Sequence, residues 1–455
     1  MKQIATLFFL FTALFSNAQS NNWQSLFDGK TLNGWKQLTG SATYNVENGM
    51  IVGTTVEKSP NSFLASDKRI TGDFVLELET MMTDSVSNSG IQFKSNFDPK
   101  ANDGKGKVYG YQYDVDPSGR KWSGGIYDEG RREWLYPVSN NPQGQILFTP
   151  NVFHKVRIEC IGQKVKTWLD DQPVSFLVDS LSANQGIIAL QVHAIGKAKD
   201  AGIKIYWKNI RIQTKNIKEL PFPNGVYVAG LVPNKLTSYE EQNGWKLLFD
   251  GKTTNGWVGA HKKTFPEKGW RVKDGILQVM ASNGDESTNG GDIVSQQEYA
   301  AFDLSFDFKL TEGANSGIKY FVTLNEKSKG SAIGLEYQLL DDERHPDAKL
   351  GRDGNRTLGS LYDLITAKKT QRFFRKPGNW NTGRVIVYPN NHVEHYLNGV
   401  KVLEYERGSQ AFRDLVAQSK YKIWPDFGEA PKGHILIQDH GNEVSFRSIK
   451  IKELK

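Results

Sequence analysis

Two short stretches set polar side chains where they can act together. Tyr111-Gln112-Tyr113-Asp114-Val115-Asp116 alternates in character, and so does Leu335-Glu336-Tyr337-Gln338-Leu339, which continues into Leu340-Asp341-Asp342. Polar groups at i, i+2 and i+4 of a strand share one face at intervals of about 7 Å. That spacing suits gripping a sugar ring or holding an acid and a base; the plainer reading is a solvated strand face. A second constellation, Gln438-Asp439-His440-Gly441, ends a run that starts Gly433-His434-Ile435-Leu436-Ile437. A histidine there can be a base, a metal ligand or a turn-capping donor. Asn315, Tyr362, Trp380, Asn381 and Arg447 are further polar candidates, although Arg447, like Arg157, sits in an alternating strand and fits an outward-facing position. Asp341-Asp342-Glu343-Arg344-His345-Pro346-Asp347 has the composition of a hard-cation loop. It lacks the Asp/Asn spacing of a calcium hand and reads better as charged surface. No Gly-rich phosphate loop, His-Glu-x-x-His or Gly-x-Ser-x-Gly elbow is present, so no nucleotide cofactor is expected.

The elements that must position these residues come in two copies. Trp23-Gln24-Ser25-Leu26-Phe27-Asp28-Gly29-Lys30 returns as Trp245-Lys246-Leu247-Leu248-Phe249-Asp250-Gly251-Lys252, an offset of 222. Asn88-Ser89-Gly90-Ile91 returns as Asn315-Ser316-Gly317-Ile318 at 227, Gly125-Ile126-Tyr127-Asp128 as Ser360-Leu361-Tyr362-Asp363 at 235, and Gln191-Val192-His193 as Gln438-Asp439-His440 at 247. Order is kept while the offset grows, so the second copy has longer loops on the same scaffold. Within each copy the period is two: Phe302 to Leu310 alternates throughout, and Phe74 to Glu79 nearly so. That pattern is a strand with one dry face. Asn398-Gly399 between two such runs predicts a type I′ hairpin, for which Asp170-Asp171 is the weaker counterpart. Helical patterning is confined to about 410–419. Many short antiparallel strands imply an all-β protein of two tandem jelly-roll sandwiches, over 22–213 and 244–455, with a Pro-containing extended linker at 214–243.

Composition narrows the classes. The 455 residues hold 57 Lys+Arg against 50 Asp+Glu, and the net charge of +7 is scattered, without a like-charged run. Nucleic acid is therefore not an expected partner. One cysteine, Cys160 in an alternating strand, excludes a disulfide framework, a thiolate metal site and a Cys-x-x-Cys motif. Lys2, the apolar run Ile4 to Phe15 and Ser16-Asn17-Ala18 read as a cleaved export signal over 1–18. No later stretch approaches the roughly 20 apolar residues of a membrane span, so the mature chain is expected to be soluble, periplasmic or secreted.

Taken in order, Leu248-Phe249-Asp250-Gly251-Lys252, Asn255-Gly256-Trp257, Trp270-Arg271-Val272-Lys273-Asp274-Gly275, Asn315-Ser316-Gly317-Ile318, Glu336-Tyr337-Gln338-Leu339-Leu340-Asp341, Trp380-Asn381, Leu397-Asn398-Gly399 and Gln438-Asp439-His440-Gly441 resemble the 3-keto-disaccharide hydrolase family. The match spans nearly all of the second copy and, more loosely, the first. The resemblance implies a concanavalin A-like jelly roll acting on glycosides oxidised at C3, with a separate sugar oxidoreductase supplying the ketone. Such a ketone acidifies the C2 hydrogen; a base removes it, the aglycone leaves C1 by β-elimination, and water adds back. A divalent cation would stabilise the enolate as a Lewis acid. The roles implied are His440 or Glu336 as base, Gln338 and Asn315 as orienting donors, and Asp341 as a support or ion ligand, with Tyr362, Trp380, Asn381 and Gln438 contacting substrate. The first copy departs from the pattern, with Gln112 for Glu336, Asp114 for Gln338 and Val192 for Asp439. Its candidates are His193, Asp114 and Asp116 for chemistry, and Gln112, Tyr127, Arg132 and Gln191 for binding. Two alternatives stay open. One is a non-catalytic carbohydrate-binding protein, for which eleven Trp could stack on sugars. The other is a laminarinase-type glycosidase, which needs two Glu and an Asp on one strand, a set no strand here shows.

Overall fold

Alternation decides which face of each strand is dry. In Phe302–Leu310, residues Phe302, Leu304, Phe306, Phe308 and Leu310 all enter one core cluster, and Phe74, Leu76 and Leu78 of Phe74–Met82 enter the other. The computed structural model describes residues 22–197, 200–324, 332–370 and 374–455; the segment 1–18 read as an export signal lies outside them. Among the described residues no helix is long and apolar enough to cross a membrane.

Each copy is a two-sheet sandwich. The first domain has an outer sheet of nine strands, centred on His154–Ile161, Phe74–Met82 and Lys204–Gln213. Its inner sheet of eight runs Glu133–Tyr136, Ile126–Glu129, Lys107–Val115, Ser89–Asp98, Gln185–Val192, Ser62–Ser66, Trp35–Thr39, with Ile70–Thr71 at the side. The second domain has an outer sheet of eight and an inner sheet of five, in the order Trp257–Gly259, Ile293–Tyr299, Gly433–Ile437, Asn315–Val322, Leu335–Leu340. The five strands of the second inner sheet correspond in order to Trp35–Thr39, Ser62–Ser66, Gln185–Val192, Ser89–Asp98 and Lys107–Val115 of the first, so the two copies share one architecture. Cys160 is a core side chain in His154–Ile161, its thiol pushed up to about 12 by burial.

The repeated Phe-Asp-Gly-Lys loop is structural. Asp28 Oδ1 accepts from the Lys30 and Thr31 amides at 2.7 Å each, and Asp250 Oδ1 does the same for Lys252 and Thr253 at 2.8 and 2.7 Å. The loop then delivers a buried indole to a carbonyl: Trp35 Nε1 donates to Leu26 O at 2.8 Å, and Trp257 Nε1 to Leu248 O at 2.6 Å. The hairpin turn forms in both copies, with positive φ at Asn398 and Gly399 and at Asp170 and Asp171. The predicted helix is Gln410–Ala417, capped by Ser409, whose hydroxyl accepts from the Phe412 amide at 3.1 Å.

The connector is more than an extended tether. Val228–Gly230 pairs in parallel with Gln172–Val178 at the edge of the first domain's outer sheet. Ser238–Gln242 forms a helical turn with a Thr237/Glu240 capping box. Replacing Trp257 by Phe leaves the Leu248 carbonyl without its donor and should cost about 2 kcal/mol in urea denaturation; Trp35→Phe should cost a similar amount.

Candidate active site

In the second domain Leu335, Tyr337 and Leu339 point into the core, so the period of two turns Glu336 and Gln338 to the opposite face. Ile318 and Tyr320 do the same for Asn315, Gly317 and Lys319 on the next strand, and Ile435 and Ile437 for Leu436 and Gln438. Register sets Lys319 opposite Glu336 and Gly317 opposite Gln338. A Cβ at residue 317 would lie 2.1 Å from Glu336 Oε1. Glycine is there because the glutamate side chain lies across it.

Burial pushes the Glu336 carboxyl above the ordinary glutamate range, against the opposing pull of Lys319, Lys420 and His440. His440 is therefore close enough to Glu336 for its charge to act on the carboxyl. The His440 ring stands edge-on to His345 at 6.0 Å, and His345 is shifted down by burial and by the His440 charge. Lys420 is also shifted down by burial, and its Nζ sits 4.2 Å over the Tyr362 ring. The Tyr362 amide donates to Glu336 O at 3.0 Å, and its hydroxyl donates to Asp347 Oδ2 at 2.8 Å. Gln338 Nε2 donates to Asn315 Oδ1 at 3.3 Å, and Gln438 Nε2 to Glu286 Oε1 at 3.1 Å. This leaves Gln338 Oε1, Gln438 Oε1 and His440 Nδ1 buried without a hydrogen-bond partner among the described residues. Those three atoms suit the hydroxyls of a bound ligand.

Around this face several acids are committed elsewhere. Asp439 takes the Gly291 and Gly441 amides at 3.0 and 3.1 Å and so clamps a loop. Asp292, pushed up to about 7 by burial, accepts from the Asp439 amide at 2.8 Å and lies 3.8 Å from Lys319 Nζ. Asp341 accepts from the Gly313 and Glu343 amides at 2.7 and 3.1 Å, which makes it a turn support. Asp342 holds the Leu358 amide and Lys369, and Asp347 holds Arg356 and Tyr362. Asp341, Asp342 and Asp347 are thus taken up by partners within the protein. Among the described residues the three-ligand cluster is His392, Glu394 and Glu404, on the second domain's outer sheet. Lys401 already bridges its two glutamates at 2.9 and 2.6 Å.

In the first domain Tyr111, Tyr113 and Val115 are core, so Gln112 and Asp114 turn to the corresponding face. Gln92 stands opposite Gln112 and donates to its Oε1 at 2.6 Å. Asp114 takes Gln112 Nε2 at 2.8 Å and Asn88 Nδ2 at 3.1 Å. Its carboxyl is pushed up to about 7 by burial and by Asp116, with Arg120 opposing. Asp116 pairs with Arg120 at 2.7 Å. Gln112, Asp114, Tyr127, Gln191 and His193 line one small polar cleft of about 90 Å3, and His193 Nδ1 bonds Ala194 O at 2.7 Å. Gly90 repeats the role of Gly317: an added Cβ would lie 2.3 Å from Gln112 Cδ.

Three expected binding residues lie away from the face that carries Glu336. Trp380 and Arg132 line a cavity of about 680 Å3 between the domains, with Arg375 and Tyr227. Arg447 lies 4.0 Å over the Trp380 ring, and Arg132 is fastened to Asp128 and Asp179. Asn381 is buried at the start of the outer-sheet strand Asn381–Val387, where Arg375 and Asn398 hold its amide. Trp380 and Asn381 belong to the outer sheet and the loop before it, whereas Arg132, in the turn between two inner-sheet strands, is drawn to the domain junction by Asp128 and Asp179. Lys319, Lys420, Glu286 and Trp134 were not among the expected residues. Lys319 was within reach, as it follows Asn315 and Gly317 at intervals of two; Lys420 lies about 80 residues from Glu336 in the chain and carries no local signal.

The 3-keto-alpha-glucoside-1,2-lyase-like domain matches residues 22–213 and again 244–452. The chain belongs to this family. A 3-keto-disaccharide hydrolase of Bacteroides thetaiotaomicron is 38% identical over 236 residues, covering 47% of this chain and 80% of that protein. A solved Parabacteroides distasonis protein, designated a candidate glycosyl hydrolase, is 31% identical over 49% of this chain and all of that one, with a TM-score of 0.43. A carbohydrate-binding module from Bacillus subtilis aligns at 19% identity and a TM-score of 0.28, over 40% of this chain and 96% of that one.

The two lyase-like domains differ at the centre of the sheet face. The second sets a lysine against a glutamate, Lys319 and Glu336, where the first sets two neutral amides, Gln92 and Gln112. The titratable acid of the first lies one rung further along, at Asp114. Gly317→Ala and Gly90→Ala should each cost about 1–3 kcal/mol in denaturant unfolding, because the added methyl meets a buried side chain. Folded Asp114 keeps its proton up to about 7, whereas an ordinary aspartate releases it near 3.8. The folded state therefore loses stability as pH rises between those values. Asp114→Asn should remove that loss, so wild type and variant should have closer unfolding midpoints at pH 4 than at pH 8 in calorimetry.

Proposed function

We propose that the second domain cleaves glucosides already oxidised at C3, with Glu336 as the base that takes the C2 proton. One observation carries this reading: Glu336 is buried on the inner-sheet face with its carboxyl raised, while Lys319, Lys420 and His440 act on it through charge. A base whose affinity for protons is raised by burial is better matched to a carbon acid than an ordinary glutamate. The Bacteroides relative, named a 3-keto-disaccharide hydrolase, supports the substrate class.

The electrons follow a closed path. As Glu336 accepts the C2 proton, the C2–H pair moves into a C2–C3 double bond and charge builds on the C3 oxygen. The ammonium groups of Lys319 and Lys420 supply positive charge on the same face for that oxygen. The enolate then re-forms the ketone, expels the aglycone oxygen from C1, and leaves a C1–C2 double bond. His440 protonates the departing oxygen. Addition of water, with OH at C1 and H at C2, gives the free 3-keto sugar and net hydrolysis; release before that step gives the unsaturated product. Gln338 Oε1 and Gln438 Oε1 accept from ring hydroxyls and fix the pose. The ketone comes from a separate oxidoreductase acting at C3, and the apolar leader at Ile4 to Phe15 supports action outside the cytoplasm.

Glu336→Gln should lower turnover of 3-keto-trehalose by about 100-fold or more, and should abolish C2 hydrogen exchange in heavy water. The acid limb of kcat/KM in the wild type should lie above the 4.5 of an ordinary glutamate, with activity lost as pH falls through it and the base becomes protonated. Turnover and exchange at wild-type rates in the Gln variant would refute the assignment.

A further inference from the structure

The first domain carries a second cleft that this chemistry does not use. Gln191, in the strand Gln185–Val192, is fully buried, and neither its amide nitrogen nor its oxygen has a hydrogen-bond partner among the described residues. Trp134 Nε1, on the adjoining wall, is likewise buried and unpartnered. Both residues line the cleft of about 90 Å3 beside Asp114. It adjoins a hollow of about 250 Å3 that shares Asn88, Arg120 and His193. Native interiors rarely leave a buried amide unbonded at both ends, so this one is built for a ligand.

The chemistry of the cleft selects the ligand. One amide group presents a donor and an acceptor side by side, the complement of two neighbouring hydroxyls, each of which both donates and accepts. A ring ketone only accepts, and would leave Gln191 Oε1 unpaired. Gln112 stands where the second domain has its base, and an amide takes no proton from carbon. Both Asp114 oxygens already hold amide N–H groups. Arg120, at 5.1 and 5.6 Å over the Trp122 and Trp134 rings and paired with Asp116, stiffens the wall.

We propose that the first domain is a glycoside-binding site for unoxidised sugar: Gln191 bridges two adjacent ring hydroxyls, Trp134 Nε1 donates to a third oxygen, and no bond is cleaved. The chain would thereby hold glucoside that still bears its C3 hydroxyl, while the second domain acts on the oxidised form. Binding at this cleft stands on the cleft's own atoms, whereas the absence of cleavage there rests on the role given to Glu336.

Titration calorimetry of the full chain with trehalose and with methyl α-glucoside tests it. Measurable binding is expected, weakened about tenfold or more in Gln191→Leu and in Trp134→Phe, because a site built to bond a hydroxyl discriminates strongly once that bond is lost. The thermal midpoint of each variant shows whether it is folded, and a loss in either folded variant supports the site. No binding of either sugar by the wild type, or unchanged binding in both variants, would overturn the proposal. Turnover of 3-keto-trehalose falling in step with binding in Gln191→Leu would also overturn it, by making the first cleft the reacting one. Wild-type turnover in Glu336→Gln would defeat the elimination chemistry and leave the binding result standing.

Discussion

A carboxyl group taken out of water on the face of a β-sheet must be compensated by its neighbours, and the second domain is arranged around that demand. The side chain of Glu336 has room because the facing strand offers Gly317. Its charge is met across the ladder by Lys319 and from the 420 region by Lys420. Breaking a buried charge arrangement by removing one partner is costly, which ties three separate chain segments to one position. The long loops that distinguish the second copy bring Lys420, Tyr362 and His345 up to that position.

The first domain meets the same geometric problem with neutral groups. Gln92 bonds Gln112 directly, and the amide pair needs no counter-charge. What the first copy keeps is a glutamine, Gln191, matching Gln438 in the second. Duplicated folds diverge most cheaply by exchanging charge for amide at constant volume, since strands, register and core are undisturbed. The glycine opposite is retained in both because either side chain fills the same space.

Much of this was legible from residue order. Phe302–Leu310 alternates in sequence and its apolar residues all enter the core; Asn398-Gly399 turns as its type requires. Glu336 and Gln338 share a face because period two says they must. Other features depend on tertiary packing. Trp380-Asn381 is as polar and aromatic as a sugar platform, yet it lies at the domain junction, since alternation within one strand does not say which of two sheets the strand joins. Arg132 is adjacent in sequence to the first cleft's residues, but Asp128 and Asp179 turn it the other way. The acids from Asp341 to Asp347 resemble ion ligands until their backbone partners are known. Lys420 reaches Glu336 through a contact no local pattern encodes.

The parallel strand Val228–Gly230 belongs by position to the connector and by hydrogen bonding to the first sandwich. Next to it, Tyr227 accepts from the Tyr136 hydroxyl at 2.9 Å and lies 5.3 Å under the guanidinium of Arg384 in the second sandwich. The seam between the repeats is thus stitched through the tether itself. A gene segment cut at the edge of the first repeat would release a cassette with a bare sheet margin, prone to pair with strangers; the transferable piece is longer than the repeat that sequence comparison delimits.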